Sequence, residues 1–109
     1  MEWYKNTYFG ERARRRRKEI KKRANNNDFL LGVYFITLPM NDANTLEIYP
    51  SYVLLQPYFK KRNMYVVGVG TTMEEAKNLT VDILMDCYNK TGQFFVRKMC
   101  EESNRFRKT

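Results

Sequence analysis

The sequence predicts a small α+β protein: an antiparallel β-meander of three strands packed on one amphipathic helix, with a basic helix at the N-terminus. Three observations carry this expectation. Residues 29–38, FLLGVYFITL, are an unbroken run of β-branched and aromatic side chains. Residues 72–91 combine a helix cap with a helical apolar period. Residues 1–27 hold ten basic and three acidic residues, whereas residues 28–100 hold seven of each.

Taken in chain order, residues 8–24 are good helix formers after Gly10, and Asn25, Asn26, Asn27 and Asp28 stop the pattern. Glu11, Arg15, Glu19 and Arg23 alternate in charge at four-residue steps, each pair supporting a helix by a few tenths of a kcal/mol. Ala13, Ile20 and Ala24 form only a thin apolar stripe, so this helix is expected hardly to dock on its own core and to be mobile or await a partner. The run at 29–38 reads as a buried strand ending at Pro39, and MNDAN at 40–44 as a turn. Residues 46–59 read as a second extended segment, bulged or at an edge because Pro50 and Pro57 each remove a ladder donor. KKRN at 60–63 is a polar turn, and MYVVGVG at 64–70 a third strand.

Thr72 and Glu75 then form a capping box, in which hydroxyl and carboxylate each accept from an orphan backbone amide. Met73, Ala76, Leu79, Thr80, Ile83, Leu84, Cys87 and Tyr88 recur at helical spacing up to Gly92, a C′ glycine. QFFVRKM at 93–99 reads as a short fourth strand and 101–109 as a frayed tail. The expected organisation is a basic arm or helix over 1–27, a globular α+β domain over 28–100, and that tail.

Over residues 46–96, the phrases LEIYPSYVLLQPY, MYVVGVGTTMEEA and YNKTGQFFVR, with the ending TG-x-F-x-V-R at Arg97, resemble a group of small proteins of unknown function from Gram-positive bacteria and their mobile elements. The resemblance implies a bacterial setting. It brings no activity, cofactor or site residue, and the basic segment lies outside it.

With 109 residues the chain has room for one domain, and 43% hydrophobic residues are too many for a disordered protein. The absence of histidine excludes a Ser-His-Asp triad, a Cys-His dyad and a histidine zinc site. Cys87 and Cys100 are too few for a disulfide framework and read as reduced thiols of a cytoplasmic protein. No segment approaches the ~18–20 apolar residues of a membrane span, and no secretion signal is expected at the N-terminus, whose positive stretch comes after Trp3, Tyr4, Tyr8 and Phe9.

The strongest functional candidate is the run Arg12, Arg14, Arg15, Arg16, Arg17, Lys18, Lys21, Lys22 and Arg23. On a helix these side chains wrap most of the circumference, which suits attraction to a polyanion better than the reading of individual bases. Trp3, Tyr4, Tyr8 and Phe9, just before it, are expected first to pack on the sheet as an anchor, with stacking on unpaired bases or insertion at a lipid interface as the alternatives. Lys60, Lys61 and Arg62 form a second basic cluster at a hairpin tip.

Other signals are weaker. Residues 68–72, GVGTT, join a strand to a helix as phosphate loops do, but Met73 stands where a third glycine is needed and Glu74 and Glu75 oppose an anion. Asp82 and Asp86 share a helix face without further metal ligands in sequence. The expectation is therefore a non-enzymatic binding protein without a cofactor, contacting nucleic-acid phosphates through its basic helix. The alternative is a protein-interaction module, meeting an acidic partner or using a face rich in Tyr34, Tyr49, Tyr52, Tyr58 and Tyr65. One helix covers one sheet face, so a homodimer is an expected way to cover the other.

Overall fold

The computed structural model describes residues 1–26, 28, 32–39, 46–56 and 64–107. It is an α+β fold with a four-stranded mixed sheet: β1 (Glu2–Phe9), β2 (Tyr34–Thr37), β3 (Glu47–Pro50) and β4 (Tyr65–Gly70). A helix pair follows β1, α1 (Glu11–Arg15) and α2 (Arg17–Asn25), separated only where the backbone leaves helical values at Arg16. A 3₁₀ turn (Ser51–Leu55) follows β3, and α3 (Met73–Thr91) and α4 (Val96–Arg107) close the chain.

The strand order is β1-β4-β2-β3. β2 runs antiparallel to β3 and to β4, as expected, but β4 does not follow β3 as a meander requires; it crosses to the other side of β2. The larger correction is β1. The aromatic start of the expected arm is an edge strand, parallel to β4, with Glu2 opposite Tyr65 and Phe9 opposite Val69. Between Trp3 and Tyr8 the register slips: five steps along β1 match only two along β4, from Val66 to Gly68.

That bulge, with alternation on either side of it, sends side chains to both faces. Tyr4 joins Ile36, Leu38 and Val67 beneath Ala76, Ile83 and Cys87 of α3 and Val96, Met99 and Cys100 of α4. Trp3 and Phe9 pack instead with Phe35, Val66 and Val69 beneath Ala13, Ile20 and Ala24. The sheet therefore has helices on both faces. The stripe that looked too thin to dock is fully buried, because the sheet supplies large side chains where the helix offers small ones.

Two further expectations change. QFFVRKM does not make a strand: Val96, Met99 and Cys100 are buried at helical spacing and start α4, which continues through residues expected to fray. Among the described residues, the second extended segment is a strand over Glu47–Pro50 and then the 3₁₀ turn, and Pro57 lies outside them. The turn at 40–44, the start of the 29–38 run and the 60–63 turn lie outside the described residues. α3 agrees with the reading at its two ends and over Ala76, Ile83 and Cys87, whereas Met73 and Tyr88, expected on its buried face, are exposed. Thr72 Oγ1 accepts from the Glu75 amide at 3.0 Å, and Gly92 adopts φ 73°, open to glycine at little cost. The Glu75 carboxylate, however, reaches the Thr71 amide at 2.9 Å rather than that of Thr72. Gly10 lies against that carboxylate, too close for any β-carbon without moving Glu75.

Ile20 is the only large side chain that α2 buries. Ile20→Ala is expected to lower unfolding free energy by about 2–4 kcal/mol, read from the shift of the urea midpoint. A shift near zero means that α2 does not depend on this contact.

Candidate nucleic-acid interface

Docking through one narrow stripe decides where the cations go. With Ala13 of α1 and Ile20 and Ala24 of α2 turned to the sheet, helical spacing within each helix sorts the basic residues into three outward rows, each interrupted at the break by Arg16. Arg14, Arg17 and Lys21 face the β1 edge, Arg15, Lys18 and Lys22 form a crest opposite the buried stripe, and Arg12, Arg16 and Arg23 form the far flank. All but Lys21 are exposed.

The rows differ in their neighbours. Lys21 is half-buried, its Nζ 5.4 Å from the Trp3 ring centroid and 6.0 Å from that of Phe9. On the far flank Glu19 meets Arg16 at 3.1 Å and Arg23 at 3.5 Å. The hydrogen bond and charge of Arg16 hold the Glu19 carboxyl below its ordinary pKa. Exposed pairs of this kind contribute little to stability. They bring order to the flank while leaving it strongly positive.

The aromatics are committed to the fold. Trp3 Nε1 donates to Asn25 Oδ1 at 2.9 Å, and its ring meets Phe35 edge-on at 6.2 Å. Tyr4 is buried. Tyr8 stacks on Tyr4 and donates its hydroxyl to Asp86 Oδ2 at 2.6 Å. Burial, and then that bond to a carboxylate, hold the Tyr8 hydroxyl above its ordinary pKa.

Where β1 bulges, a groove of about 600 Å³ opens along the sheet edge. Arg14 and Arg17 stand on one side of it, Asp82 and Asp86 on α3 stand on the other, and Leu79 and Met85 add apolar surface. Sequence spacing paired Asp82 with Asp86 as a candidate metal site. Instead Asp86 serves Tyr8, and no group of three or more potential metal ligands occurs among the described residues. The loop at residues 68–72 is likewise satisfied internally, since Thr71 and Thr72 exchange hydrogen bonds with Glu75 at the start of α3.

The sheet tyrosines do not share a face. Tyr34 and Tyr65 turn to the α3–α4 layer and Tyr49 to the α1–α2 layer, while Tyr52 is exposed. Both faces are occupied, so the reason for expecting a homodimer over an open face falls away. Sequence reading missed a different apolar surface. Val81, Met85 and Tyr88 are exposed along α3, and Phe94 stacks on Tyr88 at 5.0 Å. Their i, i+4, i+7 spacing was the available signal. Lys60, Lys61 and Arg62, and Tyr58 beside them, lie outside the described residues. No helix among the described residues is long and apolar enough to cross a membrane.

Both cysteines are free and buried. Burial pushes the Cys100 thiol from 9.0 up to about 12. Neither thiol has the exposed, electropositive setting that makes a nucleophile.

No protein-family model, curated protein or solved structure matches the chain.

A thiol whose pKa rises on folding stabilises the fold below its unfolded pKa, and that contribution is lost as pH rises towards the folded value. Tyr8 acts in the same direction. The urea midpoint is therefore expected to hold up to about pH 9 and fall above it, less steeply in Cys100→Ala. An equally steep fall in that variant removes Cys100 as a cause. A disulfide reagent should report no fast thiol in the folded protein and two in guanidinium, for the two cysteines present.

Proposed function

We propose that the chain is a non-enzymatic nucleic-acid-binding protein of the bacterial cytoplasm that uses α1 and α2 as its contact surface. The observation that supports this reading is the arrangement of nine cations in three rows on a helix pair held to the sheet by buried Ala13, Ile20 and Ala24. A helix anchored in this way presents charge at fixed positions, so contact with phosphates costs less ordering than it does for a loose tail. The bulk of the charge is local: the full chain carries +8, of which residues 1–27 supply nearly all. Contact through phosphates implies little preference for sequence.

A second reading has one observation in its favour. The exposed row Val81, Met85 and Tyr88, continued by Phe94, is the kind of apolar, aromatic surface that protein interfaces use. On that reading the contact is made by α3 and not by the tyrosines of the sheet.

The test is a titration against mixed-sequence DNA and RNA at two salt concentrations, beside a variant with Arg14, Arg15, Arg16 and Arg17 changed to alanine. Log affinity is expected to fall linearly with log salt. The slope should be shallower in the variant by roughly 0.9 for each duplex phosphate that the four arginines neutralise. All four side chains are exposed, so the variant should keep the circular dichroism of the parent. Binding of unchanged strength and slope in the variant removes the helix from the function and turns attention to α3.

A further inference from the structure

We infer that the occupant of the basic ridge is double-stranded DNA in the B form, gripped by the phosphates of both strands. The inference rests on the reading above that this ridge binds nucleic acid, and names which kind.

Two independent features of the structure lead there. The first is the fate of the aromatics. Proteins that hold single strands pair a basic track with rings on which bases stack. Here the four rings nearest the cations are engaged elsewhere. Trp3 is tied to Asn25 and covered by Lys21, Tyr4 is buried, Tyr8 is bound to Asp86, and Phe9 packs on the α1–α2 layer. Among the described residues, the exposed rings Tyr88, Phe94 and Phe95 lie on α3 and in the turn that follows it, whose layer covers the opposite face of the sheet, and the exposed ring of Tyr52 lies in the 3₁₀ turn after β3, the strand at the far edge from β1. What the ridge offers is charge, and charge alone favours the ligand with the densest phosphates.

The second feature is the distribution of that charge around the helix. Cations stand on both flanks as well as on the crest: Arg14 and Arg17 towards β1, Arg12 and Arg23 on the far side, and Arg15, Lys18 and Lys22 between them. A single backbone passing over the ridge engages one row, while a duplex groove presents a phosphate strand to each flank at once. α1 and α2 are five and nine residues long, about 7 and 13 Å at 1.5 Å per residue. A helix about 10–12 Å across matches the ≈ 12 Å major groove of B-DNA, whereas the A-form major groove of duplex RNA is too deep and narrow to admit one. Asp82 and Asp86, across the groove from Arg14 and Arg17, set an acidic limit to the footprint on the β1 side.

The experiment uses the full chain and one mixed-sequence probe in four forms: duplex DNA, each of its strands alone, and duplex RNA of the same sequence. Two double variants accompany it, Arg14→Gln with Arg17→Gln and Arg12→Gln with Arg23→Gln, all at exposed positions. Duplex DNA is expected to bind about tenfold more tightly than either strand or the RNA duplex, with the steeper salt dependence. Each flank variant should weaken duplex binding several-fold. Single strands or duplex RNA held as tightly as duplex DNA overturn the inference and leave nucleic-acid binding standing. So does a duplex affinity that responds to only one flank. Failure to bind any of the four probes at low salt overturns both.

Discussion

Parallel pairing of β1 with β4 is the contact on which the rest of the molecule depends. β4 is central, hydrogen-bonded to β1 on one side and β2 on the other. β1 is the strand that commits side chains of the N-terminal segment to both cores, Tyr4 to one and Trp3 and Phe9 to the other. Its last residue leads through Gly10, whose amide donates to Val69 O at 2.9 Å, straight into α1. The position of the cationic helix is thus inherited from a strand pairing, and the bulge in that pairing lines the groove between Arg14 and Arg17 on one side and α3 on the other.

Much of this was legible in the residues, and the reasons for the rest are physical. α3 announced itself through Thr72, a clean apolar period and Gly92, signals that act within a few residues of each other. β2 and β4 were legible from β-branched runs, and the cations of the ridge from charge alone. β1 was hidden because three extra residues between Trp3 and Tyr8 break its two-residue period, and because the charge that follows made the whole segment look like an arm. The docking of α2 was hidden because complementarity is a property of two surfaces. Ala13, Ile20 and Ala24 look insufficient until Phe35, Val66 and Val69 are known to face them. Phe94 and Phe95 gave α4 the composition of a strand, yet both are exposed and precede the helix, whose burial begins at Val96. The order β3-β2-β4 is a choice between edges of β2 that local sequence does not encode.

Packing also explains how so dense a set of like charges is tolerated. Among residues 11–25, Glu11 and Glu19 alone oppose nine cations. Neighbouring like charges disfavour an isolated helix, so the helix form of this segment owes more to the burial of Ile20 and its two alanines than to propensity. A surface assembled against its own repulsion favours any polyanion that relieves it. Stability and affinity are then linked, since a ligand that neutralises the ridge also stabilises the fold that presents it.

The topology has a consequence in time. β1 is synthesised before the other strands, yet the strand it pairs with is β4, more than fifty residues later in the chain. Until β4 has been made, α1 and α2 lack Val66 and Val69 from the surface they dock on, so the sheet that holds the polycation is incomplete. Closure of the sheet is therefore a late, long-range event of the kind that slows folding. A growing chain carries its strongest charge exposed throughout that interval, beside an assembly made largely of nucleic acid.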